Sequence, residues 1–245
     1  MNYGVYRLKI GEALKLFLEY LMIAGLFAYL FYDSFTAFCL LLPGLALFIR
    51  KKRKELIVKR KKEIAQEFKD MILAVSTELN AGYSLENSFR EAYRDMLSLY
   101  GETSLICTEL REFFRRMEMG DQLERMLADF ADRTEIDEIK DFAEIFSIAK
   151  RSGGNLSKMI HRTVTIMREK DETEREIEVL LSGKKFEQKI MGVIPLIIIL
   201  YLKLGNGGFL KALYHNLTGT VIMSACLSAY VLSYVLAEKI VAIEV

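Results

Sequence analysis

LFLEYLMIAGLFAYLFYDSFTAFCLLLPGLALFIRKKRK, residues 16–54, decides what kind of molecule this is. Residues 16–49 contain neither Lys nor Arg, and Arg50, Lys51, Lys52, Arg53 and Lys54 follow at once. An apolar helix of about 20 residues crosses the roughly 30 Å of bilayer hydrocarbon, so this run is long for one span and short for two. Tyr32, Asp33 and Ser34 break it with turn-type residues. The reading is a tight hairpin of two short helices, 16–31 and 35–49. Tyr29, Phe31, Tyr32 and Phe35 then form an aromatic belt at the far interface. A secretory signal peptide fits less well, because Glu19 interrupts the early apolar run and no small-x-small cleavage site comes after it. Glu19 is the only acid inside one of the apolar spans themselves, and its carboxylate is expected to snorkel to the nearby interface.

The rest of the 245 residues has the same segregation. Apolar residues make up 52% and charged residues 27%, with a net charge of +1. Twenty-eight of the thirty-four Lys and Arg fall within residues 50–189, and residues 190–237 hold only Lys203 and Lys211. A single soluble domain interleaves charge with apolar residues, and a disordered tail lacks this much apolar content. Two further apolar runs, 190–204 and 217–237, flank the turn Gly205-Asn206-Gly207-Gly208. The cluster that begins at Arg50 and runs on to Lys59, Arg60, Lys61 and Lys62 comes directly after the first hairpin. Lys184, Lys185 and Lys189 precede the second. The positive-inside rule puts both clusters, both termini, and the early Arg7, Lys9 and Lys15 in the cytoplasm. Beside a span, these cations are read as attracting anionic lipid headgroups rather than nucleic acid. Cys39, Cys107 and Cys226 have no paired spacing and read as three unlinked thiols.

The middle of the chain contains no proline, since Pro43 and Pro195 both lie in the apolar ends. Six apolar stripes with helical spacing fill residues 56–182. They begin at Ile64, Leu85, Ile106, Leu123, Ile136 and Leu156, and each must bury its face against the others. Three junctions share a pattern of Gly, any residue, polar, Leu, then an apolar residue four further on. These are Gly82-Tyr83-Ser84-Leu85, Gly120-Asp121-Gln122-Leu123 and Gly153-Gly154-Asn155-Leu156. The pattern predicts a left-handed glycine that closes one helix and an N-cap that opens the next. Ser84 and Asn155 suit the cap, and Asp121 with Glu124 has capping-box spacing. No breaker lies between Leu156 and Ser182, so one helix leads toward the third apolar run. Pairs such as Arg168–Glu172 and Asp171–Arg175 are expected to lace its charged segment. Acidic residues crowd the preceding region. Most belong to a solvated face, and Asp129, Asp132, Glu135, Asp137, Glu138 and Asp141 are the candidates for docking a basic partner.

Catalytic signatures are missing. The chain has no Walker sequence, no H-E-x-x-H, no G-x-S-x-G and no dinucleotide fingerprint. Gly153-Gly154 has no strand before it and no G-K-[ST] after it, so it is not read as a phosphate cradle. His161 and His215 are 54 residues apart and do not suit a catalytic pair. No metal, no cofactor and no enzymatic activity is expected.

The segments LNAGYSLENSF (79–89), AKRSGGNLS (149–157), MREK (167–170) and LSGKKFE (181–187), with Pro195 early in the next span, resemble the F-domain family of type II secretion systems. The family consists of the membrane platform proteins of secretion systems and type IV-like pili, and the resemblance covers about residues 64–205. One such domain between two membrane hairpins is similar to the tight-adherence (Flp) pilus platform proteins TadB and TadC. The resemblance implies an all-α, multi-pass membrane protein of the cell (inner) membrane. It divides into an N-terminal transmembrane hairpin (1–49), a cytoplasmic antiparallel helical bundle (50–189) and a C-terminal hairpin (190–245). It also implies partners: a cytoplasmic secretion or pilus ATPase, a paired platform protein and pilin subunits. The rival expectation is a transporter or channel subunit, for which Glu19 and a few Ser and Thr are the only polar lining available.

Overall fold

The computed structural model describes Tyr3 and residues 10–153, 155–205, 213–214 and 216–241. Among the described residues the protein has nine α-helices, one short 3-10 turn and no strand. The chain divides into two compact units. One comprises residues 1–7 and 53–172, the other residues 8–52 and 173–245. Arg7, Lys9, Gly154, Asn206, Gly207, Gly208, Lys211 and His215 lie outside the described residues.

The first unit is a helical bundle. It contains most of α3 (Leu45–Asn80), then α4 (Leu85–Tyr100), α5 (Leu105–Glu118), α6 (Leu123–Thr134), α7 (Asp137–Arg151) and the start of α8 (Leu156–Gly205). The six stripes supply its core. Phe68 and Met71 come from α3, Phe89 and Met96 from α4, Leu110 and Phe113 from α5. Phe130 comes from α6, Phe142 and Phe146 from α7, and Ile160 and Val164 from α8; all are buried. Phe130 is the hub. Its ring lies 6.0 Å from Phe68 and 6.0 Å from Phe113, and Phe68 meets Phe142 edge-on at 5.4 Å. Edge-to-face packing of this kind adds to area burial, because the positive rim of one ring faces the negative face of the next.

The junctions explain the topology. Gly82, Gly120 and Gly153 have φ of +94°, +87° and +67°, a left-handed conformation that costs any residue with a Cβ. Ser84 Oγ accepts from the Asn87 N–H at 3.4 Å, and Asn155 Oδ1 accepts from the Lys158 N–H at 3.0 Å. The second junction differs from expectation. Gln122 occupies the N-cap position of α6 with no side-chain cap, and the Asp121 carboxylate instead accepts from Arg116 Nε at 2.8 Å. In that bond both donor and acceptor are ionised, whereas a cap would join the carboxylate to a neutral N–H. A further junction lies outside the repeated pattern: Gly101, with φ +79°, precedes Ser104, whose Oγ caps α5 through the Cys107 N–H. Its spacing is one residue longer than that of the other three.

In the second unit, α1 (Ile10–Phe31) ends at the expected break, but the run beyond it is not a single helix. Residues 35–49 divide into α2 (Phe35–Leu41), a 3-10 turn (Leu42–Gly44) and the first residues of α3. Pro43 causes this, because its ring fixes φ and removes a backbone donor. The run still folds back on α1. The Tyr20 hydroxyl donates to the Leu41 carbonyl at 2.5 Å, and its ring lies 5.4 Å from Phe48. The remaining elements are the end of α8 and α9 (Leu217–Val241). Three helices are long and apolar enough to cross a membrane: Ile10–Phe31, α8 through its apolar half, and Thr218–Ile240. Leu14, Met22, Ile197, Tyr201, Val221 and Leu236 on these helices are exposed. Water does not stabilise so much bare apolar surface, whereas lipid does. The molecule is an all-α membrane protein.

One end of this unit is locked by Lys203. Its Nζ donates to Asp33 at 2.8 Å and to the Tyr29 carbonyl at 2.5 Å, and stands 3.4 Å from the centre of the Tyr29 ring. Tyr32 and Ser224 share a hydrogen bond at 2.8 Å, and Tyr214 donates to the Leu30 carbonyl at 2.7 Å. The expected belt therefore includes polar tips that bind the ends of α1, α8 and α9 together.

Candidate functional site

The candidate docking acids lie on α6, α7 and the two-residue link between them. Glu135 in that link is left-handed, with φ +53°. Its carboxylate accepts from Lys61 Nζ at 2.9 Å. The structure then sorts the candidates into two groups. Asp129 accepts from Arg116 at 2.9 Å and from Arg133 at 3.2 Å, and Glu138 accepts from Lys170 at 2.6 Å. Burial raises the Glu138 pKa, but the Lys170 ammonium outweighs it and holds the carboxyl below its usual range. These three acids are committed to the bundle. Asp132, Asp137 and Asp141 are exposed and form no ion pair among the described residues. Of the six candidates, only these three carry negative charge that no described cation compensates. Residues 137, 141, 145 and 148 recur at helical spacing on α7. Ile145 and Ile148 are 42% and 66% exposed, so this stripe carries acids at its start and bare isoleucines at its end.

Beneath this face lies a charged network that the sequence did not reveal. Arg133 grips Glu109 with both nitrogens, at 2.8 and 2.6 Å, and Glu109 is 4% exposed. The fork geometry of guanidinium and carboxylate makes this the strongest kind of side-chain pair. The Tyr3 hydroxyl donates to Glu109 at 2.9 Å, and the Tyr3 N–H donates to the Arg133 carbonyl at 3.2 Å. Arg60 covers the Tyr3 ring at 5.3 Å. Burial, then the Glu109 charge, pushes the Tyr3 phenol far above its usual value. The Glu109 bond, which outweighs the cost of burial, raises the Arg133 pKa further. Thr108, Glu112 and Arg116 complete the walls of a polar cleft of about 300 Å³. All three of its acids are already paired: Glu109 and Asp129 with the guanidinia of Arg133 and Arg116 inside the cleft, and Glu112 with Arg115 outside it.

The motif residues occupy the opposite role. Gly82, Ser84, Leu85, Gly120, Gly153, Asn155 and Leu156 build junctions, while Gly154 is not described. The junctions after α3, α5 and α7 lie at one end of the bundle, because successive helices joined by short loops reverse direction. Two bonds tie them: Ser157 Oγ donates to Asn80 Oδ1 at 2.8 Å, and Lys150 Nζ donates to Glu124 at 2.9 Å. The segments LNAGYSL and GGNLS, about 70 residues apart in sequence, thus touch. Pro195 sits inside α8, far from these corners along the chain.

A second buried carboxylate supports α5 from below. Glu67, 4% exposed, accepts from the Ile106 N–H at 2.8 Å and so satisfies the first turn of α5 from α3. Burial pushes its pKa up against that hydrogen bond, with help from the nearby Glu63 and Asp70 charges. Asp70 accepts from the Tyr100 hydroxyl, and burial together with this bond moves the phenol up to about 12. Among the described residues no group of three or more His, Cys, Asp or Glu side chains is placed to hold a metal.

A helical bundle whose first and last helices run on into apolar segments long enough to cross a membrane defines a class: an all-α membrane protein with a helical bundle. The family model for type II secretion system (T2SS), protein F, matches residues 71–202, more than half of the 245-residue chain. The chain belongs to the type II secretion system protein F family. The matched segment starts within α3, includes the junctions at Gly82, Gly101, Gly120 and Gly153, and ends in the apolar half of α8. Comparison with curated proteins gives no match, and comparison with solved structures gives none.

Proposed function

We propose that this chain is the cell-membrane platform protein of a tight-adherence (Flp) pilus, or of a related type II secretion machine. In this reading it couples a cytoplasmic assembly ATPase to pilin extraction and filament assembly, paired with a second platform protein. The observation that carries it is the match to protein F across the bundle and into the apolar half of α8. The protein does no chemistry of its own. Residues 50–189 lie in the cytoplasm between two membrane hairpins, 1–49 and 190–245, and both termini face the cytoplasm.

The geometry supports a division of labour. Asp132, Asp137 and Asp141 are the acids free to meet a basic partner surface, and Ile145 and Ile148 extend the same stripe with apolar area. Exposed charges chiefly set on-rate and orientation, and buried apolar contacts supply most of the affinity. Motion passes to the membrane through α8, which at 1.5 Å per residue measures roughly 75 Å. Lys69–Asp171 and Lys170–Glu138 hold the charged stretch of α8 to α3 and α7. Asp171 thus pairs with Lys69 in place of the expected Arg175. The charged stretch is therefore clamped to the bundle rather than laced only to itself.

The test is reversal of Asp132, Asp137 and Asp141 to Lys in the full-length protein. The variant is expected to retain its helicity, to lose co-purification of the assembly ATPase by about tenfold or more, and to leave cells without surface filaments. Undiminished co-purification would remove these residues from the interface. Normal filaments in a strain lacking the whole protein would remove the platform reading itself.

A further inference from the structure

Tyr3 sits in the first unit as a guest of three helices. It is 1% exposed, although it stands outside every helix. Its N–H donates to the Arg133 carbonyl at 3.2 Å, and its hydroxyl donates to Glu109 Oε1 at 2.9 Å. Between these two ends the ring meets Phe130 edge-on at 6.4 Å, and the Arg60 guanidinium lies 5.3 Å from its centre. The seat thus draws on α3, α5 and α6.

The walls of this seat are held by contacts that do not involve Tyr3. Arg133 bonds both oxygens of Glu109, at 2.8 and 2.6 Å, and also pairs with Asp129. Phe130 is wedged between Phe68 and Phe113, each with its ring centre 6.0 Å away. Withdrawal of Tyr3 breaks one backbone bond and one phenol bond, and the buried carboxylate keeps its guanidinium. A buried charge left without its partner is the costly outcome, and the empty seat avoids it. The seat is also selective. The slot beside Phe130 takes a ring, and Glu109 at its end accepts a hydroxyl. The Arg133 carbonyl, in the last turn of α6, has no donor from its own helix and accepts a backbone N–H.

We infer that this seat is a preformed binding site for a tyrosine-bearing peptide, and that the chain's own N-terminal segment occupies it as a detachable strap. Residues 1–7 belong with the bundle, whereas residues 8–52, which include α1, belong with the other unit. With Tyr3 seated, the chain passes between the two units at three points along its sequence. With Tyr3 released, only the continuous helices α3 and α8 connect them. The inference goes beyond the platform reading and stands on the bundle alone, so its test needs no filament.

The experiment uses the full-length protein and a fluorescently labelled peptide of residues 1–7. In the wild type the tethered Tyr3 competes with the peptide, whereas Y3A leaves the seat empty. The peptide is expected to bind Y3A about tenfold more tightly than the wild type, because a short tether holds its own end at a millimolar effective concentration. A peptide carrying Y3F should bind Y3A about tenfold more weakly than the native peptide, because it forgoes a hydrogen bond to an ionised acceptor. Equal binding of the native peptide to both proteins, or no binding to a Y3A that keeps its helicity, would overturn the site. Hydrogen exchange tests the unmutated protein. The Tyr3 amide should exchange about tenfold or more slower than a free amide, yet faster than the core amides of α5, since the strap opens without the bundle. An unprotected Tyr3 amide, or one protected as fully as the core, overturns the strap. Protection that is lost on dilution assigns the seat to a second copy of the chain and overturns it as well.

Discussion

Arg133 holds more of the bundle together than any other charged residue. It pairs with Glu109 and Asp129, its carbonyl receives the Tyr3 N–H, and its guanidinium lies 5.8 Å from the centre of the Phe130 ring. Replacing it by Ala strands a buried carboxylate, so R133A is expected to cost about 3 kcal/mol, read from denaturant unfolding of the purified protein. E109Q/R133M, which removes both charges, should recover much of that loss, because a buried pair contributes less than its rupture costs. Glu67 makes a prediction of opposite sign. Its pKa is raised above the ordinary 4.5, so the folded state binds this proton more tightly than the unfolded state. Stability tied to this group is present at low pH and is lost as pH rises above 4.5 and through the raised value. E67Q keeps an acceptor for the Ile106 N–H without the charge. The variant should gain on the wild type as pH rises through that window, and a constant difference between the two melting curves would contradict the account. None of these residues was legible in the sequence. Tyr3 and Glu109 are 106 positions apart, Glu67 and Ile106 are 39 apart, and no periodicity marks such pairs.

The elements themselves were far more legible, because helix periodicity and end chemistry are local. All six stripes became buried faces, and the glycines at 82, 120 and 153 are left-handed. The misses have physical causes. Asp121 is drawn to Arg116 across a tight turn rather than to its own helix, and Pro43 divides the second apolar run without altering its hydropathy. The longest expected helix, from Leu156 onward, proved continuous to Gly205. Under the proposed function α8 must stay stiff to transmit movement. E176P, at an exposed position beyond the clamped stretch, removes one ladder bond and strains the turn before it, at a cost of about 3 kcal/mol if the helix is forced to remain. The expected outcome is a bundle that still binds the ATPase in cells that no longer build filaments. Normal filament numbers in that variant would show that coupling does not run through α8.

At the scale of the whole molecule, the sequence already carried the alternation of apolar ends and charged middle, and the match to protein F agrees with it. Which of the six candidate acids remain free was beyond its reach. Asp129, Glu135 and Glu138 look identical to Asp132, Asp137 and Asp141 until the fold supplies Arg116, Lys61 and Lys170. The proposal depends on those free acids facing the compartment that holds the ATPase. Orientation is therefore the property to measure, in a background with Cys39, Cys107 and Cys226 replaced by Ser. In intact cells, a membrane-impermeant maleimide should label S34C and leave D141C untouched until the cells are permeabilised. Labelling of D141C in intact cells would place the bundle outside the cytoplasm and contradict the account.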